Sequence, residues 1–384
     1  MIDKKRLIVC VGSGGVGKTS TSAVLGLRAA IRGRRVLVLT IDPARRLANS
    51  LGLSEFGNEE TRIDLSSTQA RGTLSALMLD TQTTFDQLIG RLAPDAQTRE
   101  KILNNEIYRT LSNTFASSQE YMATEALHDV FTSGRYDLVV LDTPPVKNAL
   151  DFMEAPGRLS RFFDKRVIRW FLAPYDEKRV FGVKMASTLV AGTSAVVFRL
   201  LGYIFGKDFL DELSEFLLLF KDMYDGFRVR HEEVIELFKS DATCFLTVCA
   251  PTEPSIEVAS FFAKELRKRN YPRAGVIVNQ VYPASGTKLD AKSLLGDAVE
   301  ELGADMKSSV RAGIVARLGS AHGRFREMAE IQRGWVREVQ SWMGPNDGFL
   351  VEVPRLEREV HDLSSLTEMG DLLLGARDPS RGDP

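Results

Sequence analysis

Residues 12–19 read Gly12-Ser13-Gly14-Gly15-Val16-Gly17-Lys18-Thr19 and complete the pattern G-x-x-x-x-G-K-[ST]. A glycine-rich turn of this spacing exposes consecutive backbone N–H groups, which cradle phosphate oxygens at the positive end of the helix that follows. Lys18 is expected to reach the β- and γ-phosphates, and the Thr19 hydroxyl to hold Mg²⁺. The flanks agree with this reading. An apolar run from Leu7 to Val11 precedes the loop, and Val16, Ala23, Val24, Leu27 and Ile31 follow at helical spacing. A strand, a phosphate-cradling turn and a helix in that order form one unit of a parallel α/β sheet.

Further short apolar runs recur at Val36 to Ile41, Leu138 to Leu141, Cys244 to Cys249, Gly275 to Val278 and Phe349 to Val353, with another at Leu74 to Leu79. They are continuous rather than alternating, as strands buried on both faces require. Helical patterns lie between most of them. The fold class expected is therefore α/β: a doubly wound, mostly parallel sheet of about seven or more strands, with a large inserted α-helical subdomain.

The insertion is expected at residues 151–240, where helical patterning continues without a strand. Leu210, Leu213, Leu217, Phe220, Tyr224, Phe227, His231, Val234 and Phe238 keep three-and-four spacing, which predicts one long amphipathic helix. His231 falls on its apolar line, so a satisfied, half-buried histidine is expected rather than a catalyst. The run Ala186 to Phe205 is apolar but diluted by Ser, Thr, Gly and Arg199, and reads as a buried or groove-lining helix rather than a membrane span. Residues 1–150 and 241–376 are then one discontinuous core. A second helical insertion is expected at 283–344, carrying Leu318, Phe325, Met328, Ile331, Trp335, Val339 and Trp342, and a flexible tail at 377–384.

Composition narrows the function classes. Fifty basic and 51 acidic side chains in 384 residues leave a net charge of −1, which argues against a general nucleic-acid or anionic-membrane footprint. The first residues run directly into a strand with no signal-peptide pattern, so a cytoplasmic protein is expected. Three cysteines, Cys10, Cys244 and Cys249, sit in expected buried strands and read as reduced thiols. The offset of five between Cys244 and Cys249 points them to opposite faces of a strand, away from a shared metal.

Two carboxylates follow strands. Asp42, in Thr40-Ile41-Asp42-Pro43-Ala44, is placed to accept a hydrogen bond from a water attacking the γ-phosphate; its other reading is a helix N-cap. Asp142, ending Leu138-Val139-Val140-Leu141-Asp142-Thr143-Pro144-Pro145, suits Mg²⁺ coordination through water. The prolines turn the chain out of the sheet into a loop able to sense the γ-phosphate.

With these motifs the sequence resembles the ArsA-like deviant-phosphate-loop ATPases, which include the arsenite-pump ATPase and the ATPase that targets tail-anchored membrane proteins. That family's loop has the form G-K-G-G-V-G-K-T, its first switch contains D-P-A and its second begins D-T-x-P. Val278-Asn279-Gln280 resembles its V-N-[QR], and Val353-Pro354-Arg355-Leu356 with Glu359-Val360 resembles its P-x-L-x-x-E-V. The resemblance implies ATP or ADP with Mg²⁺, bound by Gly12, Gly14, Gly15, Val16, Gly17, Lys18, Thr19, Ser20, Asn279 and Pro354. Asn279 is implied to recognise adenine and Pro354 to pack on its ring; a polar loop start remains the other reading of Asn279. Lys18 and Asp42 are expected to carry catalysis, and Thr19 with water-linked Asp142 to hold the metal.

The resemblance also implies a homodimer, or a heterodimer with a paralogous ATPase, that handles a hydrophobic or membrane-protein client in transient contact with membranes. Departures limit the comparison. The signature lysine at the loop's second position is Ser13, the histidine after D-P-A is Arg45, and G-H-T after the second switch is Val146-Lys147-Asn148. No C-x-x-C is present, so zinc is not expected. The function implied is a slow ATPase switch; an energy-coupling ATPase of an anion or metalloid pump and a non-hydrolysing scaffold or partner subunit stand as alternatives.

Overall fold

The computed structural model describes residues 1–41, 46–51, 59–105, 108, 119–144, 203, 206–221, 223–283, 308–356 and 358–375. Asp42, Arg45, Lys147, nearly all of the run 186–205 and the tail 377–384 lie outside the described residues.

Eight strands form a single sheet in the order β3-β4-β2-β5-β1-β6-β7-β8. They are β1 (Leu7–Val11), β2 (Arg35–Thr40), β3 (Thr61–Arg62), β4 (Thr73–Met78), β5 (Leu138–Asp142), β6 (Thr243–Cys249), β7 (Arg273–Val281) and β8 (Phe349–Pro354). Every pairing is parallel except β3 with β4. The two-residue edge strand β3 was not anticipated, because so short a segment carries no periodic signal.

The helices are α1 (Lys18–Ile31), α2 (Arg46–Ser50), α3 (Thr81–Leu92), α4 (Ala96–Asn104), α5 (Gln119–Thr132), α6 (Lys207–Lys221), α7 (Tyr224–Lys239), α8 (Glu253–Lys268), α9 (Ser308–Trp342) and α10 (Leu363–Leu374). Period-two alternation along the central strands feeds two cores. Ile8, Cys10, Val36, Val38, Leu138 and Val140 pack under α1 and α10. Leu7, Val9, Leu37, Leu39, Val139 and Leu141 pack on the opposite face with α5 and α7. Burial on both sides is what continuous apolar runs require, and it removes most of each strand's side-chain area from water at about 25 cal/mol per Å².

The chain passes from β1 through α1 to β2, runs outward to β3 and β4, returns to β5 between β2 and β1, and continues at β6 on the other side of β1, so the winding reverses at β1. In such sheets the crevice beyond the carboxyl ends at this point binds ligands. The carboxyl ends of β1, β2, β5, β7 and β8 all open on that edge.

The long helix anticipated through residues 210–238 is two helices. Met223 sits buried in a turn between α6 and α7. Each helix buries its own stripe, so apolar spacing continues across the break and cannot mark it. A Cβ on Gly226, early in α7, would lie 2.6 Å from Leu92 of α3, so this turn depends on close helix approach. His231 is half-buried, as anticipated, but among the described residues its Nδ1 finds no hydrogen-bond partner, and burial lowers its pKa. α7 is tied to the core by Arg230, which donates to Glu125 at 2.6 Å and to Asp129 at 2.5 Å on α5. No helix among the described residues is long and apolar enough to cross a membrane.

Candidate nucleotide site

The turn from β1 into α1 is built around glycines at positions where a side chain has no room. A Cβ on Gly12 would lie 2.0 Å from the Val248 carbonyl oxygen on β6. Gly17, at φ 90°, occupies the left-handed region immediately before α1, and a Cβ there would lie 2.3 Å from Asn279 Nδ2. A side chain at Gly12 would force the loop off the β6 backbone, whereas one at Gly17 would be strained by the left-handed φ and would displace the Asn279 amide. Val16 is buried while Gly14 and Gly15 are exposed, so the loop anchors one side chain and offers its backbone on the other side.

Lys18 is 7% exposed, and its Nζ donates to the Ser13 carbonyl oxygen at 2.8 Å, folding the ammonium back over the loop. Ser13 shares a 2.9 Å hydrogen bond with Ser255 in the first turn of α8, and Ser255 Oγ accepts from the Ala250 N–H. The position therefore belongs to a small hydroxyl network between the loop and the β6–α8 turn.

Asp142, 1% exposed at the end of β5, accepts from Thr19 Oγ1 at 2.7 Å and from Thr40 Oγ1 at 3.0 Å. The parallel register pairs Thr40 directly with Asp142. A threonine hydroxyl and a carboxylate at this contact form a hard-oxygen set, which fits Mg²⁺, an ion that keeps several waters and needs few protein ligands. Among the described residues no cluster of three His, Cys, Asp or Glu side chains is placed to hold a metal.

Behind the loop, burial pushes the Cys10 thiol up to about 12. Burial likewise raises Cys244 to about 11 and Cys249 to about 12. All three thiols are free, buried and protonated, and Cys244 and Cys249 contribute to different cores.

Asn279 lies where the β7–β8 register slips between Val278 and Val281, with Gln280 at φ 63°. Such a bulge re-aims a side chain. Here it sends Asn279 Nδ2 onto the Val16 carbonyl oxygen at 2.8 Å. From this contact a cleft of about 620 Å³ runs toward β8, lined by Gly15, Gly17, Lys18, Thr19, Ser20, Asn279 and Pro354 among others. The structure thus brings together most of the residues assigned from the sequence, while Asp42 lies outside the described residues.

Sequence reasoning passed over Thr40, Thr143, Asn49, Ser50, Gln280, Arg355 and Arg358, which touch Asp142 or line the cleft. Thr143 follows Asp142 directly in the sequence, whereas Thr40 meets Asp142 only through the β2–β5 register. Asn49 and Ser50 reach the cleft only because α2 folds back beside the loop.

A family model described as anion-transporting ATPase matches residues 5–192. The chain is 21% identical to the ATPase ASNA1 homolog of Plasmodium chabaudi chabaudi over 96% of its length and 86% of that protein. It is 27% identical to the ATPase get3 of Aspergillus terreus, covering 74% of this chain and 76% of the relative. The ATPase GET3C of Arabidopsis thaliana is also 27% identical, over 74% of this chain and 69% of its own length. With the loop, the Thr19–Asp142 pair and the strand-end asparagine in the places their motifs require, the chain is similar to the ArsA-like ATPases, over residues 5–192 by the family model and over most of its length by the relatives.

Proposed function

We propose that the chain is a slow Mg²⁺-dependent ATPase switch that closes as a dimer and uses its helical insertion to handle a hydrophobic client. One observation carries the nucleotide part: Lys18, Thr19 and Asp142 converge at the loop with their hydrogen bonds made. In this reading Lys18 exchanges the Ser13 carbonyl for β- and γ-phosphate oxygens. Thr19, with Asp142 through water, holds the magnesium, whose charge offsets that of the phosphates. Asp42 orients the attacking water. Because Asn279 Nδ2 is spent on the loop, its carbonyl oxygen is left to accept from the exocyclic amine of adenine, and Pro354 packs on the ring.

The client part rests on the relatives and on the position of the insertion. Get3 and ASNA1 are the names of the relatives, and the resemblance assigns that group to tail-anchored protein targeting. The matched family's description favours a second reading, energy coupling to anion transport. Against a soft metalloid as cargo stand three buried, protonated thiols and no others in the chain.

Phosphate release from Mg-ATP by the purified protein tests the reading. Asp42→Asn should keep nucleotide and lose turnover by about 10²-fold or more, and should enrich single-span membrane proteins or a paralogous ATPase in a pull-down. Tight retention of intact ATP by the wild type would instead support a scaffold. Turnover stimulated by a metalloid would support the pump.

A further inference from the structure

Beyond Asn279, the cleft wall carries a cation that the phosphate chemistry does not require. Arg355 follows Pro354 at the end of β8, and its N–H donates to the Val281 carbonyl oxygen at 2.9 Å. Its exposed side chain lines the cleft beside Pro354 and Leu356. The guanidinium carbon lies 5.5 Å from the centroid of the Tyr282 ring, and Nη1 donates to the Tyr282 hydroxyl at 3.1 Å.

Tyr282 is itself fixed by α9. Its N–H donates to Gln332 Oε1 at 2.7 Å, and its ring meets Phe325 edge-on with centroids 4.8 Å apart. A surface arginine ordinarily loses rotamer freedom on binding, whereas this one is already braced. A planar guanidinium held on an aromatic ring is also a surface on which a second π-system stacks. Arg355 lies on β8, one strand beyond the β7 end that touches the phosphate loop, and its neighbours Pro354 and Leu356 are apolar. That setting suits a base better than a phosphate.

We propose that Arg355, braced by Tyr282, stacks on the base of the bound nucleotide and forms the outer wall of the base site. The proposal rests on the cleft being a nucleotide site. Stacking is tolerant of base identity, so Arg355 supplies affinity while Asn279 supplies discrimination.

The test is titration of the full chain with Mg-ADP and, separately, with Mg²⁺ and inorganic diphosphate. Arg355→Ala should weaken ADP by about tenfold and leave diphosphate unchanged. Arg355→Lys keeps the charge but not the plane and should lose as much; Tyr282→Phe keeps the ring and should lose less. Unchanged ADP affinity in Arg355→Ala, full affinity in Arg355→Lys, or a parallel loss of diphosphate would each overturn the proposal. Absence of ADP binding by the wild type would overturn the nucleotide reading itself, a distinguishable result.

Discussion

Asp142 is a buried carboxylate that two threonine hydroxyls hold from different elements, Thr19 at the start of α1 and Thr40 at the end of β2. Asparagine at 142 would still offer an oxygen to those hydroxyls, so the fold should tolerate the change while the negative charge disappears. Asp142→Asn is therefore expected to weaken Mg²⁺ about 10- to 100-fold and to leave Mg²⁺-free ADP binding intact. Fluorescent-nucleotide titrations with and without Mg²⁺ check this, and an unchanged magnesium dependence would remove Asp142 from the metal site. Thr19 and Asp142 were legible because each ends or begins a motif whose chemistry demands it. Thr40's bond to Asp142 was not, since it depends on the β2–β5 register. Asn279's bond to Val16 likewise depends on a bulge that no local pattern announces.

At the level of elements, the buried carboxylate of Asp347 gathers the ends of three of them just before β8. Arg267 at the end of α8 and Arg273 at the start of β7 both pair with it, and Arg267 also donates to the Trp342 carbonyl that ends α9. Burial would raise the Asp347 pKa, but the hydrogen bonds from Arg267, the Gly344 N–H and Arg273 prevail and bring it from 3.8 to about 2. A depressed carboxylate stabilises the fold fully above its unfolded pKa and loses that contribution as pH falls through the folded value. Asp347→Asn should thus cost about 2 kcal/mol at pH 7, the arginines being partly solvated. The gap from wild type should close between about pH 4 and pH 2, as read from urea midpoints; a pH-independent gap would contradict the assignment. Seven of the eight strands and α9 were legible from continuous apolar runs and helical spacing, and the two-residue β3 was not. The α6–α7 break was not, because helices on either side of a turn can keep one apolar phase.

For the whole molecule, the open question is which cation faces the γ-phosphate. The family resemblance implies a lysine where this chain has Ser13, and here that hydroxyl is engaged with Ser255. A preorganised cation at a transferring phosphoryl group is worth orders of magnitude in rate, and the proposed slow switch, completed by a partner, rests on the absence of such a cation at position 13. Ser13→Lys leaves Ser255 bonded to the Ala250 N–H, and the loop should keep its shape. If the charge acts across a dimer, the variant should turn over at least about tenfold faster, and its rate per protomer should rise with protein concentration as ATP drives association. A gain independent of concentration would place the lysine in its own protomer's site. No change in turnover or in ATP-dependent association, by light scattering, would mean that position 13 does not supply the missing charge, and that a cation elsewhere in the chain or on a paralogous partner does.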